Sequence, residues 1–179
     1  TGTLTEGILH EGQSLNLFPS GQEVKIRKLQ VHSKDVLTAY AGQRVAVNLA
    51  NLKKTEVHRG DVLAAANSLK TSHMIDVELR LLKSYHRELQ NWTRLRLYQG
   101  TKEVLCRLVL LDREVLKPGE ACFAQLRLEE AVGFKYGDRF VLRFYSPLET
   151  LGGGHVLDPN AIKHKRFKED VIESFLQKQ

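Results

Sequence analysis

Arg44 stands in the run Ala41-Gly42-Gln43-Arg44-Val45-Ala46-Val47-Asn48-Leu49, with small residues close on both sides. A permanently charged guanidinium presents a fork of donors, so on a strand with free space above it Arg44 is suited to holding an anion. A second group of cations, Arg94, Arg96 and Arg143, interleaves with Tyr98 and Tyr145. Cations alternating with aromatics suit an RNA backbone and its unstacked bases. They also arise as plain cross-strand pairs. The excess of 27 Lys+Arg over 21 Asp+Glu, a net charge of +6, favours an anionic partner, most simply RNA.

Other chemistries find no support. The phosphate-loop pattern Gly-x-x-x-x-Gly-Lys-Ser/Thr is missing, and Gly152-Gly153-Gly154 runs into His155 and Val156 without a lysine. There is no nucleophile elbow. Glu129 and Glu130 are adjacent, so on a strand they face opposite ways and cannot share a substrate. Cys106 and Cys122 lie too far apart for a usual metal pair and read as buried thiols of a reducing cytoplasm. The seven histidines show no metal-site spacing. Arg59-Gly60-Asp61 reads as a turn opening a strand. No catalytic residue, metal ligand or cofactor is therefore assigned to this chain, and no apolar run approaches a membrane span.

The elements that must position these residues are strands. Ser14 to Phe18, Val24 to Val31, Arg44 to Leu49 and Val62 to Ala65 form a first series. The step from Ile26 to Leu29 slips the period of two and predicts a bulge. Ile75, Val77, Leu79 and Leu81 alternate with Asp76, Glu78 and Arg80 and open a second series. Ser84 to Trp92 reads as a polar loop. Arg94 to Tyr98, Thr101 to Leu111, Ala121 to Leu128 and Arg139 to Tyr145 follow, with Gln99-Gly100 as a tight turn. Short strands at near-regular spacing predict an all-β chain of two consecutive antiparallel barrels. The glycine run lies between Leu151 and Val156 and reads as strand passing close to other backbone. After it, Asp158 suits a cap and Pro159 a first helical position, while Phe167, Val171 and Phe175 form a stripe. The expectation is one helix from Pro159 onward, its apolar face unpartnered, opening a further domain. Thr1 to Gly7 starts in mid-pattern and reads as a fragment of something longer.

Two of these segments, Ala41-Gly42-Gln43-Arg44 and Arg59-Gly60-Asp61-Val62-Leu63, resemble the translational GTPases at large, elongation factor Tu among them. A third, Gly152-Gly153-Gly154-His155-Val156-Leu157-Asp158-Pro159, resembles the selenocysteine-specific elongation factor family in particular. The resemblance implies that residues 1–67 are a second-domain barrel lacking its first strand, and 68–158 a third-domain barrel. Residues 159–179 would then lead into winged helices. It further implies a cytoplasmic, monomeric factor that binds selenocysteinyl-tRNA, meets the ribosome at UGA codons, and reads an mRNA hairpin through the winged helices. GTP and Mg²⁺ would be held by an upstream domain, so the fragment itself would not be an enzyme. By the same resemblance Arg44 lines the aminoacyl pocket, with further charged pocket residues on the missing first strand. Arg94, Arg96, Gln99, Gly100, Thr101 and Arg143 would face the tRNA. The alternatives are a barrel pair for aminoacyl-tRNA in general, and a β-barrel interaction module without RNA.

Overall fold

The structure, a computed structural model, describes residues 1–178. It divides into two compact units, Thr1–Ser68 and Leu69–Gln179. All-β architecture dominates both, as the alternation predicts.

The first unit contains β1 (Gly2–Thr3), β2 (Ile8–His10), β3 (Ser14–Phe18), β4 (Gln22–Val31), β5 (Lys34–Val36), β6 (Thr38–Tyr40), β7 (Arg44–Ala50) and β8 (Val62–Ala64). Its main sheet runs β1-β7-β4-β3-β8, and β2 pairs with β6. The expected bulge lies in β4, where the pairing with β7 shifts between Ile26 and Lys28. That shift lets Val24 and Ile26, then Leu29 and Val31, all face the core. The sheet curls over Leu15, Leu17, Ala39 and Val45 without closing.

The second unit is a closed barrel. Its strands are β9 (Lys70–Leu81), β10 (Leu89–Gln90), β11 (Arg94–Gln99), β12 (Lys102–Leu110), β13 (Val115–Leu116), β14 (Ala121–Phe134), β15 (Arg139–Phe144) and β16 (Thr150–Asp158). Closure follows the order β11-β12-β14-β9-β16-β15 and returns to β11. Ile75, Val77, Leu79 and Leu81 fill the interior, opposite Leu95, Leu97, Leu126 and Leu142. Cys106 and Cys122 are buried free thiols, and burial pushes both up to about 12.

Two expectations need correction. The stretch from Ser84 to Trp92 is not simply a polar loop: Tyr85 and Leu89 are buried in the barrel core, and β10 pairs with β13. The segment after Asp158 is not one helix. Asp158 ends β16, and an extended strap crosses the outside of the barrel before α1 (Glu169–Leu176) begins. Strap backbone is spent on the barrel instead: Phe167 N donates to Leu111 O at 2.7 Å and Ala161 N to Met74 O at 3.2 Å. Arg166 Nε donates to Leu110 O at 2.8 Å. Nor is the apolar face of α1 unpartnered, because Phe175 packs on Val109, Leu111, Phe123 and Leu157 of the outer wall.

Candidate nucleic-acid interface

Inward positions of the second barrel are apolar, so the alternate positions of β11, β12 and β14 point outward together. Register then decides which cations meet. Arg94 stands opposite Arg107, and Arg107 opposite Arg127, giving a row of three guanidiniums on adjacent strands. One step along, Arg96 stands opposite Arg143. The expected trio of Arg94, Arg96 and Arg143 does share one face.

The face is divided by how its charge is used. Arg94 is bound two-pronged by Glu129, with Nη2 at 2.7 and 3.0 Å from its oxygens. Arg96 donates to Glu103, which holds the Glu103 carboxyl below its ordinary range. Lys102 pairs with Glu130 at 3.0 Å. Both glutamates at 129 and 130 project from a stretch where the β14–β9 pairing shifts, between Arg127 and Val132, so each reaches its own cation. Among the described residues, no carboxylate lies within ion-pair distance of Arg107, Arg127 or Arg143. Arg143 reaches only the Leu148 carbonyl, at 3.3 Å. The Nε atoms of Arg96, Arg127 and Arg143 are buried without a hydrogen-bond partner.

Aromatics fill the gaps between the cations. The Tyr145 ring lies 4.8 Å from the guanidinium of Arg94 and 5.1 Å from that of Arg96. Tyr98 lies 5.8 Å from that of Arg143, and Trp92 5.2 Å from that of Arg127. Gly100 and Thr101 form the exposed two-residue tip of the β11–β12 hairpin, with Gly100 at φ +57°. Gln99 at its base donates to Asp138 at 3.5 Å. The sequence reading missed Arg107, Arg127 and Trp92. Arg127 is the single cation of β14 and Arg107 lies among apolar residues of β12, and only the pairing register sets them beside Arg94.

Arg44 belongs to the first unit and opens β7 beside Thr3 of β1. It is exposed, while its neighbour Val45 is 2% exposed. The turn before it is fixed by Tyr40 N donating to Gln43 Oε1 at 2.7 Å and by Gly42 at φ +89°. Among the described residues, no carboxylate pairs with Arg44.

Elsewhere the strap carries a buried polar cluster. Asp76, fully buried, accepts from Gln125 Nε2 at 2.8 Å and lies 2.7 Å from His164 Nε2. Burial raises the Asp76 carboxyl above its ordinary range. Among the described residues, no cluster of metal-ligating side chains occurs, and no helix is long and apolar enough to cross a membrane.

A curled half-barrel followed by a closed six-stranded barrel with a basic–aromatic wall defines an elongation-factor barrel pair. Residues 1–64 match the family model for elongation factor Tu domain 2. Residues 73–163 match the model for the β-barrel domain of the selenocysteine-specific elongation factor, and the chain belongs to that family. It is 39% identical over 96% of its length to the selenocysteine-specific elongation factor of Desulfomicrobium baculatum, spanning 27% of that protein. To that of Escherichia coli it is 29% identical over 97% of its length, spanning 26%. The crystal structure of translation elongation factor SelB from Methanococcus maripaludis in its apo form shares the fold, with a TM-score of 0.79 at 23% identity. That match covers 94% of this chain and 40% of that one.

Proposed function

We propose that these barrels form part of a factor that binds selenocysteinyl-tRNA and carries it to the ribosome at UGA codons. The observation that carries this reading is the Arg and aromatic wall of the second barrel in a chain of this family. On it, Arg143, Arg94 and Arg96 contact the tRNA backbone, with the Gln99-Gly100-Thr101 tip beside them. Arg44 holds the aminoacyl end. Selenols are more acidic than thiols, so a guanidinium there favours selenolate over the neutral serine hydroxyl by charge-assisted bonding. GTP, Mg²⁺ and the mRNA hairpin are the business of other parts of a longer cytoplasmic, monomeric factor.

Gel retardation of tRNA across a salt series tests the RNA reading. The log affinity is expected to fall with log salt by about 0.7–0.9 per phosphate contacted, and Arg143→Glu to weaken it. A salt-independent or absent shift rejects it. In the full-length factor with GTP, Arg44→Ala is expected to shrink the preference for selenocysteinyl- over seryl-tRNA by about 1.5–3 kcal/mol. Equal weakening of both removes the selenolate role. The match of residues 1–64 to a general elongation-factor domain keeps a second reading, aminoacyl-tRNA of any kind, and absence of that preference in the wild type would favour it.

A further inference from the structure

We propose that Trp92, Arg107 and Arg127 form a second RNA contact, for a single strand whose unpaired base stacks on the Trp92 ring while its flanking phosphates lie on the two arginines. It rests on the RNA reading above but uses none of the residues assigned there.

Charge is the first observation. Like charges directly opposite one another on neighbouring strands are unfavourable. The row of Arg127, Arg107 and Arg94 places three such charges in direct register, and only Arg94 receives a carboxylate. Row-mates Arg107 and Arg127 thus keep an uncompensated charge that a pair of phosphates would neutralise.

Trp92 supplies the second, independent observation. It adopts φ +70°, a left-handed conformation that bulky side chains avoid. The conformation is fixed on both sides of the residue: Trp92 N donates to Leu108 O at 2.7 Å, and Trp92 O accepts from Arg107 Nη1 at 3.2 Å. The outcome is a large indole held 49% exposed beside the Arg127 guanidinium. A half-exposed ring beside one guanidinium, on a backbone held by a second, is what a base–aromatic platform needs. Bases inside a duplex cannot reach it, so the ligand is a strand with at least one unstacked base. An acidic peptide would answer the two charges but would leave the exposed indole without a role.

Trp92 is the chain's single tryptophan, so its emission reports directly on the platform. The probe is an oligoadenylate of about twelve nucleotides, a length in the range one such platform accommodates. Titrated into the whole chain at low salt, it is expected to quench Trp92, whereas a fully paired RNA duplex of equal length binds without quenching. By anisotropy of the labelled oligonucleotide, Arg107→Glu and Arg127→Glu should each weaken binding about ten-fold, and the milder Arg107→Gln less. Trp92→Gly relieves the backbone and so keeps the fold; it should lose about ten-fold. Arg143→Glu, being outside this contact, should weaken the oligoadenylate less than Arg107→Glu or Arg127→Glu does, by an amount that shrinks as salt is raised. Absence of quenching, equal quenching by the duplex, or equal quenching by polyglutamate overturns the proposal. Failure of the oligoadenylate to bind a wild-type chain that still retards tRNA would sink this contact and leave the tRNA reading standing, whereas loss of tRNA retardation with intact oligoadenylate quenching would reject only the tRNA reading.

Discussion

The two units treat strand edges differently. The second joins β15 back to β11 and leaves no edge in its barrel. The first leaves β1 and β8 as the ends of its sheet, and keeps them to two and three residues. Short edges offer little template for foreign strands. Closure, in turn, demands close backbone approach. Gly152, Gly153 and Gly154 lie between β9 and β15, where a Cβ would overlap the carbonyl oxygens of Arg80, Phe140 and Glu78 respectively. Gly42 of the first unit has nothing within 4 Å of such a Cβ, and glycine there serves only its φ of +89°. Glycine thus makes room for a neighbouring strand in one unit and permits a turn in the other. The second unit also wears an outer apolar layer, Val109, Leu111, Phe123 and Leu157 under Phe175, that has no counterpart in the first among the described residues.

The largest test of this contrast is Gly154→Val, which should cost the second unit about 4 kcal/mol or more, because rigid backbone must move. Gly42→Ala should cost the first only about 1 kcal/mol, through strain at positive φ. Chemical denaturation followed by Trp92 emission for the second unit, and circular dichroism for the whole, measures both. Comparable losses would erase the distinction.

Phe175→Ala should remove about 3 kcal/mol from the docking of α1, by leaving a hole over Phe123, whose ring centre lies 5.5 Å away. Hydrogen exchange should then show the α1 amides opening while those of β11 and β12 stay protected. Joint opening would mean that the outer layer and the barrel are one cooperative body.

The strap should also respond to acid. Asp76 is raised above its ordinary range by desolvation, against the lowering influence of Gln125 and His164. A carboxyl raised on folding contributes its stability below its unfolded pKa, and that contribution fades as pH climbs through the raised value. Asp76→Asn cannot ionise. Unfolding free energies compared between about pH 4 and pH 7 should show wild type losing ground to the variant as pH rises. The loss is about 1.4 kcal/mol for each tenfold by which folding tightens the hold of Asp76 on its proton. A constant difference would show that folding leaves the proton affinity of Asp76 unchanged.

The smallest effect is expected at Glu129→Gln. The Arg94–Glu129 pair is partly exposed, so breaking it should cost under about 1 kcal/mol. Freeing Arg94 should at the same time raise RNA affinity by about two- to ten-fold at low salt. Stability loss without any gain in RNA binding would mark the pair as purely structural.

Local periodicity made much of the barrel pair legible. Alternation along Ile75 to Leu81 showed which side of β9 is apolar, and the slip at Ile26 to Leu29 marked the β4 bulge, because inside and outside positions alternate within one strand. The glycine run was legible for a similar reason, since three residues without side chains between Leu151 and Val156 imply that something else occupies their space. Less legible was the tail: Asp158 and Pro159 carry helix-start chemistry, yet barrel carbonyls and the outer wall offered the strap better partners than its own turns.

Residue order alone thus specifies the class of most strands, the positions where glycine is obligatory, and the basic, aromatic character of β11 and β15. Which cations are spent on Glu129, Glu103 and Glu130, and which stay uncompensated, is settled only when the barrel closes. The cause is register. A slip of one residue exchanges the two faces of a strand, and that register is fixed by closure among strands dozens of residues apart, not by any local pattern.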